Sequence, residues 1–113
     1  METVALGALG EKLLAEARST SSGRCSVTVH GGHVNSLRQT AIGVAAGHRL
    51  DEHQNTGEIT VQLLSGRARI VAGSDEVILG AGDYAVIPPE WDSFEALDDT
   101  VVLLTAAVQG QKD

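Results

Sequence analysis

From Glu58 onward the chain takes apolar and polar residues in turn: Ile59, Val61 and Leu63 fall on one side of an extended backbone, and Glu58, Thr60 and Gln62 on the other. A period of two marks a half-buried strand and excludes a helix. Gly66 interrupts the alternation and Arg67 to Val71 resumes it, which predicts two antiparallel strands joined by a tight turn at Ser65-Gly66. Turn formers then recur at short intervals, at Gly73-Ser74-Asp75, Gly80-Ala81-Gly82-Asp83 and Asp98-Asp99. Pro88-Pro89 stops a strand over Tyr84 to Ile87, because proline has no amide hydrogen for a sheet ladder. Punctuation this dense leaves room for a meander of short strands. The last of them, Thr100 to Val108, is almost wholly apolar and suits a central or interface position.

The N-terminal segment reads differently. Leu6, Leu9, Leu13, Leu14 and Ala17 recur at helical spacing, which predicts one helix up to about Arg18, lying on the outside of the β domain or against a partner subunit. The turn formers Ser19 to Gly23 end it. Cys25 to Val29 alternates as a short strand, and His30-Gly31-Gly32-His33 makes a turn whose two imidazoles are either ligands or solvated turn residues. Leu37 to Ala46 is another strand. Its Arg38, Thr40, Ile42 and Val44 face is the bulkier and is expected in the core, with Arg38 at an end where its charge reaches water. Three units result: residues 1–22 as helix and linker, 23–108 as a single β domain, and 109–113 as a tail.

Composition narrows the function. The chain of 113 residues has 15 acidic residues against 8 basic ones, a formal net charge of −7. The charges are spread along the sequence, which argues against nucleic acid or an anionic membrane as a partner. No apolar run reaches the ~20 residues of a membrane helix, and no basic segment precedes Val4 to Leu9 as in a signal peptide. With a single cysteine, Cys25, read as a small buried residue rather than a reactive thiol, a reducing, cytoplasmic location is expected. No phosphate-cradling glycine loop or nucleophile motif occurs.

Two blocks, Gly47 to Gly66 (GHRLDEHQNTGEITVQLLSG) and Gly82 to Ser93 (GDYAVIPPEWDS), resemble the paired motifs of the cupin superfamily over roughly residues 37 to 108. The resemblance implies a jelly-roll β-barrel: all-β, one domain, with one N-terminal α-helix, and by family habit a homodimer. The glycine and proline framework matches at Gly47, Gly66, Gly82 and Pro88, with Glu90 in place of a glycine. The four metal-ligand positions fall on His53, Asn55, Ile59 and Ser93, so one imidazole remains of three histidines and a glutamate. Glu58 stands one residue out of phase with the glutamate position, hence on the other face of its strand. No metal cofactor is therefore expected. A divalent transition metal, if bound, would use His53 and Asp92 or Glu58, with a distant histidine such as His30, His33 or His48.

The resemblance thus implies a protein that binds a small molecule inside the barrel, with His53, Asn55, Ile59, Trp91 and Ser93 as ligand-binding residues. His53 and Asn55 would be polar anchors on an apolar wall of Ile59, Val61 and Leu63. Trp91 is expected at the barrel rim, either lining an entrance or packing on its turn, and His48 is expected to be exposed. Two enzyme readings stand beside this one: a metal-dependent oxygenase or isomerase with a remodelled ligand set, and metal-free acid-base catalysis with His53 as base and Tyr84 as acid.

Overall fold

The computed structural model describes residues 1–32, 35–50, 58–88 and 90–107. Among these, one helix, α1 (Leu6–Arg18), is followed by nine strands: β1 (Arg24–His30), β2 (Leu37–Val44), β3 (Arg49–Leu50), β4 (Ile59–Ser65), β5 (Arg67–Ala72), β6 (Asp75–Gly80), β7 (Tyr84–Ile87), β8 (Ser93–Ala96) and β9 (Thr100–Ala107). They form two antiparallel sheets, a five-stranded one ordered β1-β2-β9-β4-β7 and a four-stranded one ordered β3-β8-β5-β6. The apolar run Thr100–Ala107 is central, paired with β2 on one side and β4 on the other.

The two sheets pack face to face as the period-two pattern requires. From the five-stranded sheet, Val44, Ile59, Val61, Leu63, Ile87 and Val102 point inward; from the other, Ala68, Ile70, Leu79, Phe94 and Ala96 do. Ile42 and Val44 lie on the inner face of β2, and Arg38, on the same face, is exposed near the strand's start. The outer face of the four-stranded sheet is charged and laced with ion pairs, Arg69 to Glu76 at 3.1 Å and to Glu95 at 4.0 Å.

One connection differs from the sequence expectation. Ser65-Gly66 is not a hairpin turn, because β4 and β5 belong to different sheets and do not pair. Gly66, with φ +90°, is a corner where the chain leaves one sheet for the other. Nor do the following strands meander: among the consecutive pairs, only β1–β2 and β5–β6 are hydrogen-bonded neighbours, and the other connections change sheets. This is the jelly-roll path.

Helix α1 packs on the outer face of the five-stranded sheet, over β1 and β2, through Gly10, Leu13 and Ala17. The approach is close because the small residues meet. A Cβ on Gly43 would stand 2.9 Å from the Leu13 carbonyl carbon, and one on Gly10 3.1 Å from Val101 Cγ1. Cys25, half-buried on this face, donates its thiol hydrogen to Glu16 Oε1 at 3.0 Å. That bond to a carboxylate, aided by burial, pushes the thiol above its ordinary range and keeps it protonated.

Asp99 ties the helix end to the barrel. Its carboxylate accepts from the Ala46 amide at 2.9 Å and from Arg18 Nε at 2.8 Å, and these donors, the backbone one foremost, hold its pKa below the ordinary value. A lowered carboxylate contributes stability above its unfolded pKa, near 3.9, and that contribution disappears as pH falls through the lower folded value. Asp99→Asn should therefore cost about 1 kcal/mol at neutral pH, a figure reduced for the exposure of the pair. In thermal melts the gap between wild type and variant should close as pH drops below about 4.

Candidate functional site

The inward residues meet around a small cavity of about 20 Å3 at the centre of the sandwich. Leu50, Ile59, Val61, Ile70, Trp91 and Phe94 line it, with Ile87, Val102 and Leu104, and every described lining residue is apolar. A space of that size holds about one water, and without polar partners a water gains nothing there. Among the described residues, the apolar side chains leave little free space at the centre.

Strand phase decides which sequence candidates reach it. Ile59 is buried at 3% exposure in the cavity wall. On β8, Phe94 and Ala96 point inward, so Ser93 shares the opposite face with Glu95 and its side chain is directed away from the cavity. Asp92 is engaged elsewhere: Oδ2 accepts from the Gly73 amide at 2.8 Å, and its own amide donates to the Val71 carbonyl at 2.8 Å. It pins the β7–β8 connection to the β5–β6 turn. Glu58 is exposed.

Trp91 is not a rim residue. It is 6% exposed, joins the buried core cluster and lines the cavity. Its sequence context of prolines and acids suggested the surface; the burial follows from the crossing of the β7–β8 connection from one sheet to the other. His48 is half-buried rather than exposed, because its ring lies against Gly23, where a Cβ would fall within the imidazole. His30 is exposed at the end of β1, and Tyr84 is 61% exposed on the outer face of β7, directed away from the cavity.

His53, Asn55 and His33 lie outside the described residues. The segment that carries His53 and Asn55 leaves from Leu50 and returns at Ile59, and both of these line the cavity. Among the described residues no group of three or more His, Cys, Asp or Glu side chains is arranged to hold a metal ion. Sequence reasoning missed the inner positions of Leu50, Ile70 and Phe94. The alternation of SFEA was available to place Phe94, had its phase been taken from the phenylalanine rather than from the motif.

No protein-family model matches the sequence, and no curated protein matches it. Solved structures do match by fold. A conserved protein of unknown function from Streptococcus pyogenes superposes with a TM-score of 0.70 at 20% identity, covering 81% of this chain and 80% of that one. An RmlC-like cupin protein from Desulfovibrio desulfuricans gives 0.64 at 24% identity, over 74% and 81%. A variant of the salicylate 1,2-dioxygenase from Pseudoaminobacter salicylatoxidans gives 0.74 at 18% identity, covering 88% of this chain but 34% of the enzyme. At such identities the likeness establishes the fold. Among the described residues no helix is long and apolar enough to cross a membrane.

Proposed function

From a chain with the cupin fold and an interior wall of aliphatic and aromatic side chains, we propose a binding protein for a small, mainly apolar molecule. The observation that carries this reading is the wall itself: Ile59 and Phe94 present hydrocarbon toward the barrel centre, where a metal-binding barrel needs nitrogen and carboxylate donors. His53 and Asn55 supply the polar anchors from the segment between Leu50 and Ile59, with Ile59 and Trp91 as apolar contacts. Ser93 has no part in it, since it shares a face with Glu95. Because the cavity is only about 20 Å3, the ligand enters by displacing side chains, Trp91 foremost.

The test is a thermal-shift screen of small apolar molecules followed by titration of tryptophan emission, which reports Trp91 alone, the chain having one tryptophan. A true ligand raises Tm, changes the emission, and loses about tenfold in affinity on His53→Ala, the worth of one hydrogen bond to a buried polar group. A stabilising ligand that leaves the emission and the His53→Ala affinity unchanged contradicts the proposal.

We further propose that the chain acts as a homodimer through the part of the outer face of the five-stranded sheet that helix α1 leaves uncovered. Among the described strand residues of that face there is no Asp, Glu, Lys or Arg, whereas Val27, Leu37, Tyr84 and Val86 are 40%, 42%, 61% and 66% exposed. The strands of that face bring no like charges together when two chains of net charge −7 meet across them. Sedimentation should give a dimer that Val86→Lys dissociates; a wild-type monomer at about 100 times the micromolar range would refute it.

A further inference from the structure

The two sheets do not close on each other at one side. β6 ends the four-stranded sheet and β7 ends the five-stranded one, and each is hydrogen-bonded on one edge only. Between them lies a cleft of about 270 Å3, floored by Ile70, Ala72, Ala85 and Ile87 and flanked by Val77 and Pro88. Ile70 and Ile87 also line the central cavity, so these two side chains are the partition between the cleft and the barrel interior. The cleft is open while the interior is filled, and Val77 remains 43% exposed within it.

Its charge is one-sided. Asp75 and Glu76 stand at the lip, and no Lys, Arg or His is among the described residues lining it. Glu76 is already paired with Arg69 at 3.1 Å, whereas Asp75 has no partner among the described residues. An apolar floor beneath an unpaired carboxylate favours a molecule with a compact hydrocarbon body and one positive charge, and disfavours a carboxylate. We infer that the β6–β7 cleft is a binding site for a small apolar amine, separate from the barrel interior and divided from it by Ile70 and Ile87.

The test compares three probes of one shape, benzylamine, benzyl alcohol and benzoate, by amide and methyl NMR titration of the full chain. Benzylamine should shift the signals of Ala72, Val77, Ala85 and Ile87 and bind about threefold to fivefold more tightly than benzyl alcohol, the worth of one exposed ion pair. Benzoate should shift none of them. Asp75→Asn, a change confined to an exposed turn side chain, should leave benzyl alcohol binding intact and reduce the amine preference to within about twofold. Absence of shifts in the cleft, equal binding of benzoate, or an amine preference that survives Asp75→Asn would each overturn the inference. So would concentration-dependent shifts at Val77 without any probe, which would assign the cleft to a second copy of the chain. Shifts at Leu50 and Phe94 with none in the cleft would sink this site and leave the barrel reading standing; shifts in the cleft alone would support this site and leave the barrel reading to its own screen.

Discussion

Gly66→Ala should unfold this protein far more readily than a methyl addition at an open turn such as Gly73. At φ +90° an alanine leaves the region open to L-residues, and its Cβ would overlap the Asp99 carbonyl oxygen and stand 2.7 Å from Thr100 Cα. The corner cannot move aside cheaply. The Arg67 carbonyl accepts from the Leu97 amide at 2.9 Å, from the Asp98 amide at 3.3 Å and from Thr100 Oγ1 at 2.9 Å, so relief of the overlap breaks that clasp. A loss of about 3 kcal/mol or more is expected in urea unfolding. Gly73→Ala is the control, since Gly73 has φ +63° and nothing within 4 Å of its missing Cβ. It should lose only about 1 kcal/mol, the backbone term alone. If the two variants lost equal stability, the corner would not be held as described.

The second large effect concerns the filled interior. Trp91→Ala removes the bulkiest side chain of the cavity wall from a site only 6% exposed, so about 3–5 kcal/mol of stability should be lost. The enlarged, apolar space should stay dry and take up benzene, which would restore part of the lost Tm. Ile78→Thr, at 50% exposure on the outer face of the four-stranded sheet, should change stability by less than about 0.5 kcal/mol in the same buffer. A Trp91→Ala protein that is nearly as stable as wild type, with no response to benzene, would mean that Trp91 does not fill the barrel.

Much of this architecture is legible in the residues, and the failures have a common cause. Alternation at Ile59, Val61 and Leu63 gives a strand and its buried face directly, because burial on one side of a sheet imposes a period of two, and the unbroken apolar run of Thr100 to Ala107 gives a central strand without choosing its face. What alternation does not carry is the partner of a strand. A glycine between two strands looks the same in sequence whether it makes a hairpin or a corner; at Gly66 the choice is made by Asp99 and Thr100, more than thirty residues away. The same holds for Trp91, whose polar neighbours gave no sign of burial, and for His48, which finds Gly23 through the fold.

The candidate site was legible as a framework and less so as chemistry. Glycines and a proline at motif spacing point to the barrel, and Ile59 does stand in its wall. The motif count also put Ser93 among the inward positions, yet the β8 pairing Ile70 to Phe94 and Val71 to Ser93 sets the phase one residue further on, with Phe94 inside. A one-residue difference of phase replaces a hydroxyl by a phenyl ring in the wall. That replacement is what favours an apolar ligand over a metal ion.

The measurement that bears most directly on this is the metal content of the purified, tag-free protein by elemental mass spectrometry, after incubation with Fe, Mn, Ni and Zn and dialysis. With one imidazole and an amide in place of three imidazoles and a carboxylate, retained metal should be below about one ion per ten chains. Retention of about one ion per chain would contradict the apolar-ligand reading and require donors beyond His53 to converge on the barrel.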